Sequence, residues 1–205
     1  MTPNPAMTLA LQSNFGGAEL WREQFHALRQ AHAGAAGRAM LVFQPRDSTL
    51  VNQWVAGDSD PGGLSMLALE SGPPEADQAD LDSIDWAAVY ERYQHAVHDA
   101  SEPFGAEHAE VDGALLLDVR RDAMFELATT TLPGAQWRDP GRVAVWTAAL
   151  PADRSVVVYC VYGHEVGRAT AMRLRAAGLN ARFLRGGIDG WQAAGQPLAA
   201  KADAS

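Results

Sequence analysis

The chain of 205 residues has one cysteine, an excess of acidic over basic residues, and no long apolar run. A single thiol, Cys160, excludes a disulfide within the chain and is typical of a reducing compartment. The 16 basic residues are outnumbered by 25 aspartates and glutamates, which gives a net charge of −9. This balance argues against general binding to nucleic acids or anionic membranes, because such binding requires basic patches.

No apolar stretch approaches the roughly twenty residues that a membrane helix needs. The first seven residues lack the basic start and the apolar core of a signal peptide. We therefore expect a cytoplasmic protein that has no membrane partner. Apolar residues make up 47% of the chain, which is enough for the core of one domain with a sizeable extension.

The first third of the chain contains no catalytic motif. Residues 1–16 are expected to form a loop, and residues 19–33 an amphipathic helix that contributes Trp21 and Phe25 to a core. Short strands are predicted at residues 40–43 and 64–69.

A domain boundary is predicted over residues 71–80, which are acidic, polar and rich in residues that break helices and strands. We assign residues 1–75 to an N-terminal α+β extension or small subdomain of unknown role. Residues 76–205 are assigned to a catalytic domain.

Strands and helices alternate after residue 81, which predicts a parallel sheet flanked by helices on both faces. Strands are predicted at residues 114–117, 156–159 and 182–184, and helices begin near Ser83, Arg121, Val143, Gly167 and Ile188.

Cys160 follows a run of three valines and precedes a loop between Gly163 and Gly167, after which a helical pattern begins. The thiol is thus predicted at the carboxyl end of a strand and beside a helix N-terminus, where ligands bind in open α/β sheets. Free amides of the loop and the helix favour negative charge, so we expect a lowered thiol pKa and a nucleophilic cysteine.

The histidines do not form a metal site in this sequence. They lack cysteine or carboxylate partners at the spacing of metal ligands, and those at positions 95, 98 and 108 are expected in solvated loops. No metal and no organic cofactor is implied.

Four landmarks occur in an order that resembles the rhodanese-like domain. They are Asp118-Val-Arg120 after a strand, Leu132-Pro-Gly-Ala135, Cys160-Val-Tyr-Gly163 after a strand, and Arg185-Gly-Gly-Ile-Asp-Gly-Trp191 before a final helix. The resemblance covers about residues 81–198. It implies that a cysteine takes a sulfane sulfur from a donor such as thiosulfate and passes it to cyanide or a thiol.

The resemblance also implies roles for individual residues. Cys160 is the nucleophile that becomes a persulfide, Asp118 is structural, and Arg120 supports or tunes the site. The backbone amides from Val161 to Gly167 form the cradle, and Arg168 is expected to face the anion. The substrate-binding residues are therefore Val161, Tyr162, Gly163, His164, Glu165, Val166, Gly167 and Arg168.

The sequence departs from the family pattern in the turn before Leu132, where Thr130-Thr131 replaces Gly-His, and in the cysteine loop. That loop resembles the longer loops of phosphatase and arsenate reductase relatives, but Val166 stands where those enzymes have arginine. Glu165 adds a carboxylate, which either points outward or biases the choice of donor or acceptor. His164 is either a cation near the thiolate or a solvated residue.

Three hypotheses follow from these features. The first is a sulfurtransferase whose partners are a small-molecule sulfur donor and an acceptor, which includes a protein thiol. The alternatives are a cysteine-based oxyanion enzyme of phosphatase or arsenate reductase type, and a non-catalytic binding or sensing module on the same fold. The oligomeric state is left open.

Overall fold

The computed structural model describes residues 2–70, 72–73 and 77–201. The chain divides into two compact units, Met1–Ala96 and Val97–Ser205. This division lies inside a helix, about twenty residues after the predicted boundary, because the segments that follow residue 76 pack with the N-terminal strands. Part of the predicted boundary segment, residues 71 and 74–76, lies outside the described residues. The domain limits at residues 75 and 76 stay a prediction.

The first unit combines helices with a three-stranded antiparallel sheet of order β2-β1-β3. Its elements are α1 (Pro5–Phe15), α2 (Ala18–Ala31), β1 (Gly37–Gln44), β2 (Thr49–Ala56), β3 (Leu64–Glu70), α3 (Asp77–Asp82) and the first part of α4 (Trp86–Ser101).

Helix α1 occupies a segment that the sequence predicted as a loop, and that prediction is wrong. Asn4 caps the helix by accepting a hydrogen bond from the backbone N–H of Met7 at 2.8 Å, and Pro5 stands at its first position. Both are favoured at a helix start. Strand β2 was not predicted either, because polar Asn52 and Gln53 lie in its middle.

The predicted core residues of α2 are buried within the first unit. The ring of Trp21 lies 5.2 Å from that of Phe25 and 5.0 Å from that of Trp86, between centroids. The indole Nε1 of Trp21 donates a hydrogen bond to Oδ1 of Asn52 at 2.9 Å. The N-terminal segment therefore has an apolar core to which its own helix and sheet contribute.

His95 and His98 belong to α4, so their prediction as loop residues is wrong, but both are exposed to solvent as expected. His108 begins a short 3-10 segment, His108–Glu110.

The second unit is built on a five-stranded parallel sheet of order β4-β9-β8-β5-β7. It confirms the predicted α/β class. Its elements are β4 (Gly105–Ala106), β5 (Leu115–Asp118), α5 (Asp122–Glu126), β6 (Thr130–Thr131), β7 (Gln136–Trp137), α6 (Val143–Trp146), β8 (Val156–Tyr159), α7 (Glu165–Ala176), β9 (Ala181–Leu184), α8 (Gly187–Ala193) and β10 (Ala199–Ala200). Strands β6 and β10 form a separate antiparallel pair.

Strand β8 lies in the middle of this sheet, and its side chains alternate between two apolar cores. Val156, Val158 and Cys160 join the core that includes Ala171 and Leu174 of α7. Val157 and Tyr159 join the opposite core, with Ile188 and Trp191 of α8. The thiol is therefore directed to the α7 face.

Across the ranges 2–70, 72–73 and 77–201, no helix combines the length and the apolar character that crossing a bilayer requires.

Candidate active site

Cys160 stands where the sequence predicted it, directly after β8 and in a short loop that leads into α7. The residue is 6% exposed and its thiol is free. Its Sγ lies 3.9 Å from the carbonyl oxygen of His164, to which the thiol donates a hydrogen bond. The chain thus turns around the sulfur within four residues.

Gly167 gives the sulfur the space it needs on the side of α7. A Cβ atom at this position would lie 3.3 Å from Sγ of Cys160 and 3.5 Å from its backbone nitrogen. The first distance is shorter than an ordinary van der Waals contact and the second is near the lower limit of one. A side chain here would therefore crowd the sulfur.

Burial raises the pKa of the Cys160 thiol above its ordinary value, contrary to the sequence-based prediction. The backbone N–H groups of Gly167, Gly163 and His164 lower this pKa, as expected of a cradle, whereas the negative charge of Glu165 raises it. The amides are present, but the loss of hydration outweighs them, because a buried sulfur has lost the water that would stabilise its charge.

We expect the alkylation of Cys160 by iodoacetamide to show an inflection at a higher pH than that of a free thiol, whose pKa is about 8.5. The sign follows from burial, which favours the neutral thiol, so that reactivity appears only as the pH rises further. Glutathione titrated in parallel serves as the control. An inflection at or below that of glutathione would show instead that the amides of the cradle dominate.

Glu165 begins α7 and is buried, with 8% of its surface exposed. Its Oε2 atom has no hydrogen-bond partner within the part of the chain that the structure describes. An outward orientation of Glu165, one of the two options left by the sequence, is thereby excluded. His164 and Tyr162 are exposed instead, with ring centroids 5.7 Å apart. Val166 packs partly buried against the apolar core.

Arg168 does not have its guanidinium free for an anion. Its Nε donates to the carbonyl oxygen of Gly163 at 2.9 Å, and its Nη1 lies 2.9 Å from Oε2 of Glu102 and 3.2 Å from Oγ of Ser101. The guanidinium also lies 4.1 Å above the centroid of the Phe183 ring. Arg168 therefore stabilises the conformation of the cysteine loop. This corrects the expectation that it faces the anion site.

Glu102 binds a second arginine as well. Nη1 of Arg185 forms an ion pair with Glu102, and its Nη2 donates to the carbonyl oxygen of Glu102 at 2.9 Å. Hydrogen bonds from Arg168 and Arg185 lower the pKa of Glu102 to about 2. The carboxylate is therefore charged throughout the neutral range and joins the start of α7 to the turn that follows β9.

The turn at Gly186 and Gly187 packs directly against the cysteine loop. Gly187 has φ +59°, and a Cβ atom there would lie 2.5 Å from the carbonyl oxygens of both Cys160 and Val161. The N–H of Ile188 donates to the carbonyl oxygen of Cys160 at 3.0 Å. Glycine is thus required both for the backbone conformation and for the close approach.

Asp118 and Arg120 form a buried ion pair, 0% and 5% exposed, as expected of supporting residues. Nη2 of Arg120 lies 2.5 Å from Oδ2 of Asp118 and donates to the carbonyl oxygen of Thr130 at 2.9 Å. The hydroxyl of Tyr159 donates to Oδ2 of Asp118 at 2.9 Å and accepts from the N–H of Leu132 at 3.2 Å. This network connects Tyr159, the residue before the cysteine, to Asp118 of β5 and to the segment that contains Thr130 and Leu132.

Two residues that support the site, Tyr159 and Glu102, were not identified from the sequence. Tyr159 reads there as one more apolar residue of a buried strand, although a tyrosine among valines is a signal that a hydroxyl needs a partner. Glu102 gave no signal, because it lies 66 and 83 residues before the two arginines that it binds.

This unit has the features of one class of enzyme domain: a parallel α/β sheet with a single cysteine in a loop after a central strand. Residues 101–194 match the sequence profile of the family described as rhodanese-like domain. A sulfurtransferase of Allochromatium vinosum is 31% identical over 100 residues, which cover 49% of this chain and 92% of that protein. The chain belongs to the rhodanese-like family.

A second relative carries another name, an iron superoxide dismutase of Cupriavidus metallidurans. It is 32% identical over 107 residues, and the match covers 46% of this chain and 54% of that protein. The chain therefore spans about half the length of this relative. In the described ranges, no group of three or more His, Cys, Asp and Glu side chains is placed to hold a metal ion.

Among solved structures, the chain is similar to a rhodanese-related protein from Thermoplasma volcanium. The two are 24% identical, and the superposition has a TM-score of 0.42 and covers 46% of this chain and 96% of the other.

Proposed function

We propose that the second unit is a sulfurtransferase that moves a sulfane sulfur from a donor such as thiosulfate to cyanide or to a thiol. The observation that carries this proposal is the free Cys160 at the end of β8, with amides of Gly163, His164 and Gly167 directed at its sulfur. The match to a sulfurtransferase over nearly its whole length supports it. A reducing cytoplasm, in which a lone thiol stays reduced, is the compartment that we propose.

The reaction has two displacements. The thiolate of Cys160 attacks the outer sulfur of thiosulfate, the S–S bond breaks, and sulfite leaves with the bonding electron pair. The acceptor then attacks the outer sulfur of the persulfide, and the electron pair of the broken S–S bond returns to Sγ. With cyanide as acceptor the product is thiocyanate, and no external oxidant or reductant is needed.

Intact-protein mass spectrometry after incubation with thiosulfate tests this proposal directly. One added sulfur atom that is removed again by cyanide is the expected result. A chain that gains no sulfur from thiosulfate or from a small persulfide would refute the proposal.

We do not propose an oxyanion enzyme as a second function. The phosphatase and arsenate reductase relatives of this fold have an arginine at the position of Val166. Val166 is packed against the core, and the guanidinium of Arg168 is bound to Glu102 and to the carbonyl of Gly163.

Replacement of Gly167 by alanine is expected to slow sulfur loading by about ten- to a hundredfold, because small displacements of reacting atoms have effects of this size. The added methyl would lie 3.3 Å from Sγ of Cys160. On the proposed mechanism, it would crowd the sulfur that must accept the outer sulfur atom. The measurement is the rate of persulfide formation from thiosulfate. Gly190→Ala is the matched control, since a Cβ there meets its nearest atom at 3.6 Å, an ordinary contact. Equal loading rates in the two variants would contradict the steric argument.

A further inference from the structure

Glu165 has an environment that its helix position alone does not explain. A carboxylate at the first residue of a helix is stabilised by the helix dipole, but it is usually solvated. Here the side chain is more than nine-tenths buried, and Oε2 lacks a hydrogen-bond partner among the residues described. Leaving a buried charged oxygen unpaired costs free energy, and such an atom in a native protein calls for an explanation.

The position of Glu165 links it to the reacting sulfur. His164, the residue before it, and Gly167, two residues after it, both lie against Sγ of Cys160. The charge of Glu165 also acts on the Cys160 thiol. A carboxylate oxygen that has no other partner, and whose charge acts on the reacting sulfur, has the properties of a general base.

A negative charge in this position is poorly suited to anionic partners. Thiosulfate carries two negative charges and cyanide carries one, and both are repelled by a nearby carboxylate in a site with little water. A neutral thiol has no such penalty. It brings instead a proton that must leave before its sulfur is nucleophilic.

We propose that Glu165 is a further catalytic residue, which takes the proton from a neutral thiol acceptor, and that a thiol rather than an anion is the acceptor to which this site is adapted. This inference rests on the proposed sulfur transfer. The rings of Tyr162 and His164, in the same loop, are exposed to solvent.

The step balances without a further reactant. The proton of the acceptor R–SH moves to the Glu165 carboxylate while the acceptor sulfur attacks the outer sulfur of the Cys160 persulfide. A new S–S bond forms, the bond between Sγ and the outer sulfur breaks, and its electron pair stays on Sγ. Glu165 then returns the proton to Sγ, which gives the neutral Cys160 thiol and the product R–S–S⁻, whose negative charge is the one that the outer sulfur carried in the Cys160 persulfide.

The test is a single-turnover experiment on the full chain. Wild type and Glu165→Gln are loaded with sulfur, mixed with an acceptor, and followed by mass spectrometry as the added sulfur leaves. Glutathione and a cysteine-containing peptide separate small from polypeptide thiols. An aromatic thiol that is already ionised at the assay pH needs no base.

With glutathione or the peptide, the variant is expected to unload about a hundredfold more slowly than wild type, which is the lower range for the loss of a general base. With the ionised thiol it should stay within about twofold of wild type, on the same reasoning. Glu165→Asp, which keeps a carboxylate, should recover part of the rate with glutathione. Asp122→Asn, which removes an exposed carboxylate at the first residue of α5, should match wild type with every acceptor.

The outcomes distinguish a failure of the proposed sulfur transfer from a failure of the proposed role of Glu165. If wild type accepts no sulfur, the proposed function fails and this inference fails with it. If wild type loads but Glu165→Gln slows all acceptors equally, or slows none, sulfur transfer stands and the role of Glu165 is refuted. A Glu165→Asp variant that unloads to glutathione no faster than Glu165→Gln would also count against a base at this position.

Discussion

Cys160→Ser is expected to abolish sulfur transfer, with a loss of more than about a thousandfold, because the hydroxyl cannot form a persulfide and the loss of a nucleophile removes the whole covalent route. The measurement is thiocyanate formation from thiosulfate and cyanide, together with the mass of the protein after exposure to the donor. The substitution is nearly isosteric at a buried position, so the fold should be retained and is checked by circular dichroism.

The variant is a clean control because Cys160 is the chain's single cysteine. A sulfur adduct that persists in Cys160→Ser would have to lie on another type of side chain. A folded variant that keeps a substantial part of the wild-type rate would refute the persulfide route and favour a role for the domain in binding.

Asp118→Ala is expected to lower the free energy of unfolding by about 3–5 kcal/mol, the range for removing one partner of a buried ion pair. The carboxylate accepts hydrogen bonds from the backbone N–H of Arg120, from its guanidinium and from the hydroxyl of Tyr159. Without it, the guanidinium of Arg120 and the hydroxyl of Tyr159 lose their acceptor in a region that water does not reach.

Urea unfolding followed by circular dichroism measures this loss. Asp153→Ala, which removes an exposed carboxylate from the turn before β8, is the control and should leave the unfolding midpoint almost unchanged. An Asp118→Ala protein as stable as the control would mean that Arg120 finds another partner, and that the network is not what fixes this part of the sheet.

The sequence predicts the second unit well because its signals are local. The valines before Cys160 and the glycines after it specify a strand, a turn and a helix within about twenty residues. The signal for the Gly186-Gly187 turn also comes from neighbouring residues. The elements around Cys160 and the turn at Gly186-Gly187 both form as predicted. Asp118 was expected to be structural and Arg120 to support or tune the site, and these two charged residues, which are close in sequence, pair with each other.

What the sequence does not predict depends on long-range packing. The thiol pKa is the clearest example: amides near Cys160 are visible in the sequence, but the depth of burial that outweighs them is not. The direction of Arg168 is set by Glu102, which is distant in the chain. In the first unit, β2 was missed because its polar residues interrupt the apolar pattern. The strand forms because each of its residues pairs with a residue of β1, which is a long-range interaction.

The alternation of side chains along β8 has a consequence for the fidelity of folding. A strand displaced by one residue exchanges its two faces, so a slip of β8 would carry the thiol to the α8 side of the sheet and the tyrosine to the α7 side. Valines tolerate such an exchange, because either core accepts them. The hydrogen bond between Tyr159 and Asp118 does not, since it forms in one register alone. A residue that takes no part in the chemistry thereby determines which side of the sheet receives the reactive sulfur.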